Sequence, residues 1–271
     1  MLRVIVGGKG GVGKTTVTAA LARLLAERGY EILLLDTDSV PNLALSLGLS
    51  PEEAERITPL VENAKLVEER TGAKPGEGWG LLFSLTPKVD DIVDLYGVNI
   101  GKHIRLVVVG SINQGNQGCL CPAIALAKAF LHHVVTREKR IVIVDSEAGA
   151  EVFGRGLAEH FDLMVTVCEP TLRSMLIGKK LMKLAEDIGV KRFAIVVNKA
   201  RDEEEAERLA RRVFEGKHPV YVVPYDRVLE EMESRGGSVM SLPRNSKLLL
   251  ALEPLAVYIA RLAELRVKGR V

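Results

Sequence analysis

The sequence predicts an α/β fold, in which a mainly parallel twisted sheet carries helices on both faces. Short runs of β-branched and other apolar residues alternate with longer segments of helical periodicity, an order typical of βαβ units. Several of the short runs are apolar throughout, as expected for strands that are covered on both faces. Neither an internal repeat nor a low-complexity linker divides the 271 residues, so we expect a single domain over residues 1–271.

The predicted elements follow one another along the whole chain. Strands are expected at Leu2–Val6, Glu31–Leu35, Trp79–Leu85, Arg105–Val109, Arg140–Val144, Leu163–Cys168, Phe193–Val197 and Val220–Val223. Between the first two, Val17, Leu21 and Leu25 share one helical face, and Gly29 would end that helix. Further helices are expected at Pro122–Thr136, Leu172–Ile188, Glu203–Phe214 and Lys247–Leu265. The polar residues 50–78 predict a helical insertion.

Composition and charge narrow the class of protein. Hydrophobic residues make up 47% of the chain and charged residues 27%, which argues against disordered and collagen-like proteins. The 37 Lys and Arg residues nearly balance 35 Asp and Glu, so no nucleic-acid partner is expected. Three cysteines do not indicate a disulfide framework, and we predict a cytoplasmic location. The sequence shows neither a signal peptide nor an apolar run of about 20 residues, so no stable membrane association is expected.

A glycine-rich loop follows the first predicted strand and opens the first helix. It reads Gly8-Lys9-Gly10-Gly11-Val12-Gly13-Lys14-Thr15-Thr16, which satisfies the pattern G-x-x-x-x-G-K-[ST]. Backbone N–H groups of the loop and the helix N-terminus would surround phosphate oxygens. Lys14 would reach the β- and γ-phosphates, and Thr15 would ligate Mg²⁺. The loop therefore predicts a P-loop domain that binds a nucleoside triphosphate with magnesium.

The same glycines allow a second interpretation. They also spell G-x-G-x-x-G, and Asp36 ends the second predicted strand, where dinucleotide-binding enzymes place a ribose-binding acid. A dinucleotide loop has no use for Lys14 and Thr15, whereas a nucleoside triphosphate with magnesium needs both. We therefore favour the phosphate loop over a dinucleotide site and over a purely structural turn.

Acidic residues at two strand ends complete the predicted nucleotide site. Asp145 ends an apolar strand, where a carboxylate can hold magnesium through its water shell, and Gly149 could bring its backbone close to a γ-phosphate. Asp36 and Asp38 follow the second strand. We expect Asp38 to orient or deprotonate the attacking water and Asp36 to have a structural role or to lie near the magnesium. The alternative for either residue is helix capping or turn chemistry.

Two cysteines predict a second, soft-metal site. Cys119 and Cys121 lie in a loop over about residues 115–122, and Pro122 fits a first helical position, where the helix dipole favours the thiolate form. Two thiolates suit Ni²⁺ or Zn²⁺ but supply only half of a four-coordinate site. A symmetric homodimer would supply four thiolates across its two-fold axis. The alternative is two small residues at a tight helix entry, and Cys168 is interpreted as a core residue.

The loop resembles a known motif. Lys9 to Thr16 is similar to the deviant Walker A motif of the family that includes MinD, ParA and the nitrogenase iron protein, and Asp36-x-Asp38 and Asp145-Ser146-x-Ala148-Gly149 resemble its switch regions. The resemblance implies an ATPase whose homodimer closes with ATP. It also implies that Lys9 contacts the nucleotide bound by the partner subunit, like an arginine finger supplied in trans.

The family resemblance also implies base contacts. In this family an Asn after a late strand and backbone near a Pro after the next strand read the adenine. Asn198 and Pro224 occupy those places in this sequence. An Asn at a strand end is also a common turn residue, which is the alternative interpretation of Asn198.

Further segments resemble the CooC-type maturation ATPases within this family. They are Pro87–Ile92, Gly118-Cys-x-Cys-Pro122, Glu147–Glu151 and Glu169–Ser174. The resemblance implies ATP-dependent delivery of nickel to carbon monoxide dehydrogenase. Val152 stands where that group is expected to have a His, which leaves a different metal or client open. A MinD- or ParA-type positioning ATPase on membrane or DNA is the alternative function, and an iron-sulfur reductase with a shared cluster is a third.

Overall fold

The computed structural model describes residues 2–38, 42–75, 84–111, 121–147, 149 and 158–267. Its centre is an eight-stranded sheet with the strand order β3-β4-β2-β5-β1-β6-β7-β8. The strands are β1 Arg3–Gly8, β2 Ile32–Asp36, β3 Val98–Ile100, β4 Ile104–Val108, β5 Ile141–Asp145, β6 Leu163–Cys168, β7 Phe193–Ala200 and β8 Val220–Pro224. Neighbouring strands are parallel except β3, which pairs with β4 in the antiparallel sense.

Helices cover both faces of the sheet, which confirms the predicted fold class. In the described part they are α1 Lys14–Ala26, α2 Leu43–Ser46, α3 Pro51–Glu55, α4 Ala64–Thr71, α5 Ile92–Tyr96, α6 Cys121–Arg137, α7 Leu172–Asp187, α8 Glu203–Val213, α9 Arg227–Ser234 and α10 Lys247–Val267. The helices α3 and α4 lie within residues 50–78. No helix among the described residues has both the length and the apolar character needed to cross a bilayer.

Successive strand residues pack into two different cores, because side chains alternate across a sheet. In β2, Leu33 and Leu35 join the cluster that contains Phe130 of α6, whereas Ile32 and Leu34 join the cluster formed with α1 and α10. All residues of β1, β2 and β5 are buried. Burial on both faces explains why these strands read as continuous apolar runs rather than as alternating ones.

Several observed elements differ from the predicted ones. Most of the strand predicted at Trp79–Leu85 lies outside the described residues, and Ser84 and Leu85 are not in a strand. The strand β3 was not predicted because it has only three residues at the antiparallel edge of the sheet. The helix α9 was not predicted because it has only eight residues, and of these Leu229 and Met232 pack against the core while only partly buried.

Candidate nucleotide-binding site

The predicted phosphate loop lies at the carboxyl ends of the parallel strands, where ligands bind in open α/β sheets. It connects β1, which ends at Gly8, to α1, which begins at Lys14. Lys9, Gly10 and Gly11 are exposed, Val12 is buried, and Thr15 and Thr16 are half-buried. The N-terminus of α1 thus adjoins the exposed part of the loop. Free N–H groups at a helix N-terminus are suited to binding an anion.

Two glycines of the loop have no space for a side chain. A Cβ on Gly8 would lie 2.2 Å from the carbonyl oxygen of Val167 in β6. Gly13 has a φ of 94°, and a Cβ there would lie 2.3 Å from Nδ2 of Asn198. The pattern of glycines thus reflects the close approach of β6 and of Asn198 near the carboxyl end of β7, as well as the backbone conformation.

Replacing Gly13 by Ala is expected to weaken nucleotide binding by about tenfold or more. The new Cβ requires an unfavourable left-handed backbone and displaces Asn198 from the loop, so the N-terminus of α1 moves. Isothermal titration calorimetry with ADP and Mg²⁺ measures the effect. Gly10→Ala is the matched control, since a Cβ at Gly10 meets no atom within 4 Å and φ there is not left-handed. Equal loss of affinity in both variants would contradict the steric explanation.

Lys14 lies inside the loop. Lys14 is only 7% exposed, and its Nζ donates a hydrogen bond to the carbonyl oxygen of Lys9 at 3.4 Å. A buried ammonium with one long hydrogen bond retains donors for an anionic ligand. The position agrees with the predicted contact between Lys14 and the β/γ-phosphates.

Asp36 and Asp145 face each other at the ends of adjacent strands. They are register partners in the β2–β5 pair and are almost completely buried. Burial, and after it the charge of the neighbouring Asp36, raise the pKa of Asp145 to about 8. Burial likewise raises the pKa of Asp36 to about 7. When these two buried carboxyl groups are ionised, a bound cation is needed to balance their negative charges.

Asp145 is the better placed of the two to serve a metal. Its Oδ1 accepts a hydrogen bond from the Thr18 hydroxyl at 3.4 Å, and Thr15 also donates to its carboxylate. Its Oδ2 is buried and has no hydrogen-bond partner among the described residues. Hydroxyl and carboxylate oxygens are ligands that Mg²⁺ prefers, so the residues present fit this ion.

Asp36 mainly holds the loop that follows β2. Its Oδ1 accepts from the backbone N–H of Asp38 at 3.1 Å, and its Oδ2 accepts from that of Leu43 at 3.2 Å. Its own carbonyl accepts from Val109 at 2.8 Å. These contacts support a structural role for Asp36 beside the magnesium position rather than direct ligation.

Asp38 lies at the rim of the same site. It is half-buried, and its Oδ1 has no hydrogen-bond partner within the described ranges. Burial raises the pKa of Asp38, Lys14 lowers it, and Glu147 raises it. The carboxyl group therefore lies within electrostatic reach of the predicted phosphate-binding lysine, where a water-orienting group is required.

The residues after β5 return toward the loop. The N–H of Ser146 donates to Val6 of β1 at 3.1 Å, and its hydroxyl donates to the carbonyl of Gly149 at 3.4 Å. Gly149 is buried. These bonds hold the backbone of Gly149 beside the end of β1, next to the start of the phosphate loop. Ala148 lies outside the described residues.

Two residues near the carboxyl end of β7 clamp the phosphate loop, a feature that the sequence did not predict. The Asn198 side chain donates from Nδ2 to the carbonyl of Val12 at 2.8 Å and accepts at Oδ1 from the N–H of Lys199 at 3.0 Å. Lys199, at a φ of 62°, donates from Nζ to the carbonyl of Gly11 at 2.8 Å and pairs with Glu169 at 3.2 Å. Asn198 thus supports the loop through its side-chain amide.

The predicted base side of the site is formed by the ends of β7 and β8. Pro224 pairs with Ala200, and the N–H of Tyr225 donates to the carbonyl of Ala200 at 2.7 Å. The guanidinium of Arg201 lies over the Tyr225 ring, 5.5 Å from its centroid. Pro224 ends β8, whereas Asn198 lies inside β7, because this strand continues past the predicted end at Val197 to Ala200.

The helix α9 reaches the end of the phosphate loop. The Thr16 hydroxyl donates to Oε1 of Glu233 at 3.2 Å. The contact joins residues 217 positions apart, so no local sequence pattern indicates it. Thr16 is nevertheless at the predicted nucleotide site, at the N-terminal turn of α1.

The predicted soft-metal site falls mostly outside the described residues. Cys119 and Val152 are not described, and of Cys121, which begins α6, the side chain is not. Cys168 is completely buried, and burial raises the pKa of its thiol to about 12, as expected for a core residue. In the described ranges no three His, Cys, Asp or Glu side chains converge on a metal position. Magnesium would accordingly be held by few protein oxygens together with phosphates and water, its usual mode.

The chain is similar to known nucleotide-binding proteins over most of its length. Residues 3–239 match the family model described as the CobQ/CobB/MinD/ParA nucleotide binding domain. An uncharacterized ATP-binding protein of Methanocaldococcus jannaschii is 39% identical over 263 residues, which cover 96% of this chain and 98% of that protein. The carbon monoxide dehydrogenase accessory protein CooC of Rhodospirillum rubrum is 39% identical over 198 residues, 73% of this chain and 74% of CooC.

A solved structure supports the same fold. The septum site-determining protein MinD of Pyrococcus horikoshii, complexed with Mg-ADP, aligns with a TM-score of 0.68 at 22% identity, over 97% of this chain and 96% of MinD. The family match includes the phosphate loop, Asp145 and Asn198. The resemblance to the deviant Walker A family, and within it to CooC, is therefore confirmed. This chain belongs to the CobQ/CobB/MinD/ParA nucleotide-binding domain family.

Proposed function

We propose that the protein is an ATP-hydrolysing metallochaperone, which dimerises with nucleotide and metal and delivers nickel to carbon monoxide dehydrogenase. The observation that carries the hydrolytic part is the buried carboxylate of Asp145, which has one oxygen without a partner among the described residues and lies beside Thr15. The similarity to CooC and the pair Cys119 and Cys121 support the choice of cargo and client.

The geometry of the loop supports one set of metal and phosphate ligands within this proposal. Thr15 and Asp145 would hold Mg²⁺, and Asp36 would fix the loop behind it. When bound, magnesium supplies positive charge to the oxygens of the transferred phosphoryl group. The loop N–H groups would bind the β-phosphate, and Lys14 would exchange its long bond to Lys9 for phosphate oxygens.

Three further residues would complete hydrolysis. Asp38 would accept a hydrogen bond from the attacking water and orient it toward the γ-phosphorus. Two observations support this role: its Oδ1 has no hydrogen-bond partner among the described residues, and Lys14 is close enough to lower its pKa. The backbone of Gly149, held by Ser146, would sense the γ-phosphate and move when it leaves. Asn198 would contact the adenine with its second amide hydrogen while it supports Val12.

A homodimer would join the nucleotide site to the metal site. Lys9 is exposed on the loop, so its side chain can extend to the nucleotide of the partner subunit. Cys119 and Cys121 of each subunit would together provide four thiolates for Ni²⁺, or for Zn²⁺ in its place. Formation and opening of the dimer would then capture and release the metal together.

The metal part is tested with the Cys119→Ala/Cys121→Ala variant. We expect bound nickel to fall from about one ion per dimer to none, because two thiolates from each subunit are lost. ADP affinity should stay within about twofold, because the two cysteines lie outside the phosphate loop. Metal analysis and analytical ultracentrifugation after gel filtration, with and without ATP, measure both quantities.

Cys168→Ala is the matched control, since its buried neutral thiol is not expected to bind metal. Unchanged nickel content in the double variant would exclude the proposed cargo site and would leave the ATPase proposal untouched. Loss of nickel from the Cys168→Ala variant alone would place the metal elsewhere. Delivery is tested by adding purified carbon monoxide dehydrogenase that lacks nickel and then measuring the nickel content of that enzyme.

A further inference from the structure

The helix α7 exposes an apolar stripe on its outer face. Leu172, Leu176 and Leu184 lie on one i, i+4 row and are 51%, 51% and 38% exposed. The inner face of the helix, by contrast, is anchored in the core by Met175 and Met182. The outer leucines therefore contribute little to the packing of α7, and their exposure needs another explanation.

Cations accompany these leucines. Lys180 occupies the remaining position of the same row, and Arg173 and Lys183 lie to either side of it. All three side chains are exposed, and none forms an ion pair within the described part of the chain. Lys179, on the neighbouring row, differs because it pairs with Glu215. The face thus presents leucines together with three uncompensated positive charges.

The face is open and shallow, with a depression lined by Leu172, Arg173, Leu176, Ile177 and Lys180. A shallow surface on which leucines lie beside cations is suited to an amphipathic helix whose apolar side chains pack on the leucines and whose acidic residues meet the cations.

We propose that this face of α7 is a docking site for an amphipathic helix of a partner protein, one that carries leucine-type side chains flanked by Asp or Glu. Charge complementarity favours such a partner over a second copy with the same basic face. The exposed carboxylate of Glu186 at the end of α7 opposes binding to an anionic membrane. The stripe spans about 18 Å, well below the area of a permanent interface, so the contact is transient.

The docking face begins next to the nucleotide site. Thr171 caps α7 by accepting the N–H of Ser174 at 3.2 Å, and the Ser174 hydroxyl accepts the N–H of Glu169 at 2.9 Å. Glu169 in turn pairs with Lys199, which holds the phosphate loop. A partner bound to α7 would therefore be linked to the phosphate loop through Ser174, Glu169 and Lys199.

The test uses two designed helical peptides of about 18 residues with identical leucine rows, one flanked by Glu and the other by Lys. Fluorescence anisotropy measures binding to the full-length protein without nucleotide, so the result does not depend on ATP hydrolysis. The Glu peptide is expected to bind with a Kd of about 10–100 µM and to weaken at high salt. The Lys peptide is expected to bind at least about tenfold more weakly.

Two variants make the test specific. Leu176→Asp should weaken the Glu peptide by about tenfold or more, whereas Leu250→Asp, at a leucine 59% exposed on α10, should not change it. The triple variant Arg173→Glu/Lys180→Glu/Lys183→Glu should prefer the Lys peptide. Circular dichroism verifies that each variant is folded.

Several outcomes overturn the proposal. Equal binding of the two peptides, or equal effects of Leu176→Asp and Leu250→Asp, would exclude a docking face on α7. Binding of the wild type to vesicles with anionic lipid that Leu176→Asp abolishes would assign the face to a membrane. Self-association in sedimentation that the same variant abolishes would assign it to a second copy of the chain.

Discussion

Replacing Asp145 by Asn is expected to stabilise the protein without nucleotide while reducing ATP hydrolysis by about 10²–10³-fold. The buried Asp145 has one carboxylate oxygen without a partner in the described part, so its charge is costly until a cation arrives. The amide keeps the shape but removes the charge. We expect a gain of ~2 kcal/mol in the free energy of unfolding at pH 9, which corresponds to about 4–8 °C in Tm.

The pH dependence of stability gives the sign of this effect. The folded pKa of Asp145 is raised to about 8, above its ordinary value of 3.8. Between these two values the unfolded chain has released a proton that the folded chain retains, so the free energy of unfolding falls as the pH rises through this window. Asp36, with a folded pKa of about 7, contributes in the same direction. Above about pH 8 the contribution of Asp145 is constant.

Thermal unfolding at pH 5, 7 and 9, with and without Mg²⁺ and ADP, measures this prediction. The wild type should lose stability from pH 5 to 9 without ligand more steeply than Asp145→Asn, and Mg²⁺ with ADP should stabilise the wild type more than the variant. Asp90→Asn, at an exposed acid that pairs with Lys88, is the matched control and should match the wild type. A Tm of Asp145→Asn below that of the wild type at pH 9 would show that the carboxylate is stabilising.

The sheet and the phosphate loop were predictable because both depend on local patterns. A strand buried on both faces is apolar at every position, as Ile32–Leu35 is, and this pattern is visible in a few residues. The loop needs its glycines and Lys14 in a fixed spacing, which is also local. Asp36 and Asp145 were predictable as strand-end residues because parallel strands bring their carboxyl ends to one edge.

The contacts that join distant segments were not predictable in this way. Lys199 and Gly11 are 188 positions apart, and their hydrogen bond depends on the register and twist of β7 against β6 and β1. Asn198 was expected to contact a base, but its bond to Val12 follows from the same strand order and has no sequence signal of its own. Short elements such as α9, with eight residues and only partly buried apolar side chains, also give a weak periodic signal in the sequence.

Replacing Lys14 by Met is expected to reduce ATP hydrolysis by about 10³-fold and to weaken nucleotide binding by about tenfold or more. Its ammonium is the buried cation of the phosphate loop, and Met retains the apolar stem that packs there. Lys9→Met is the matched variant in the same loop, since Lys9 is exposed. If Lys9 acts on the nucleotide of the partner subunit, this second variant should bind nucleotide normally and hydrolyse it slowly.

Mixing inactive variants separates action within a subunit from action across the dimer. In a mixed dimer of Lys9→Met and Asp145→Asn subunits, the Lys9→Met subunit keeps its own Asp145 and receives Lys9 from its partner. One of the two sites is then complete, so the mixture should regain up to about a quarter of wild-type hydrolysis under random pairing. A mixture of Lys14→Met and Asp145→Asn would regain the same fraction only if Lys14 also acted in trans, and we expect no recovery there. Hydrolysis that stays absent in the first mixture, although sedimentation shows mixed dimers, would place Lys9 in its own subunit's site.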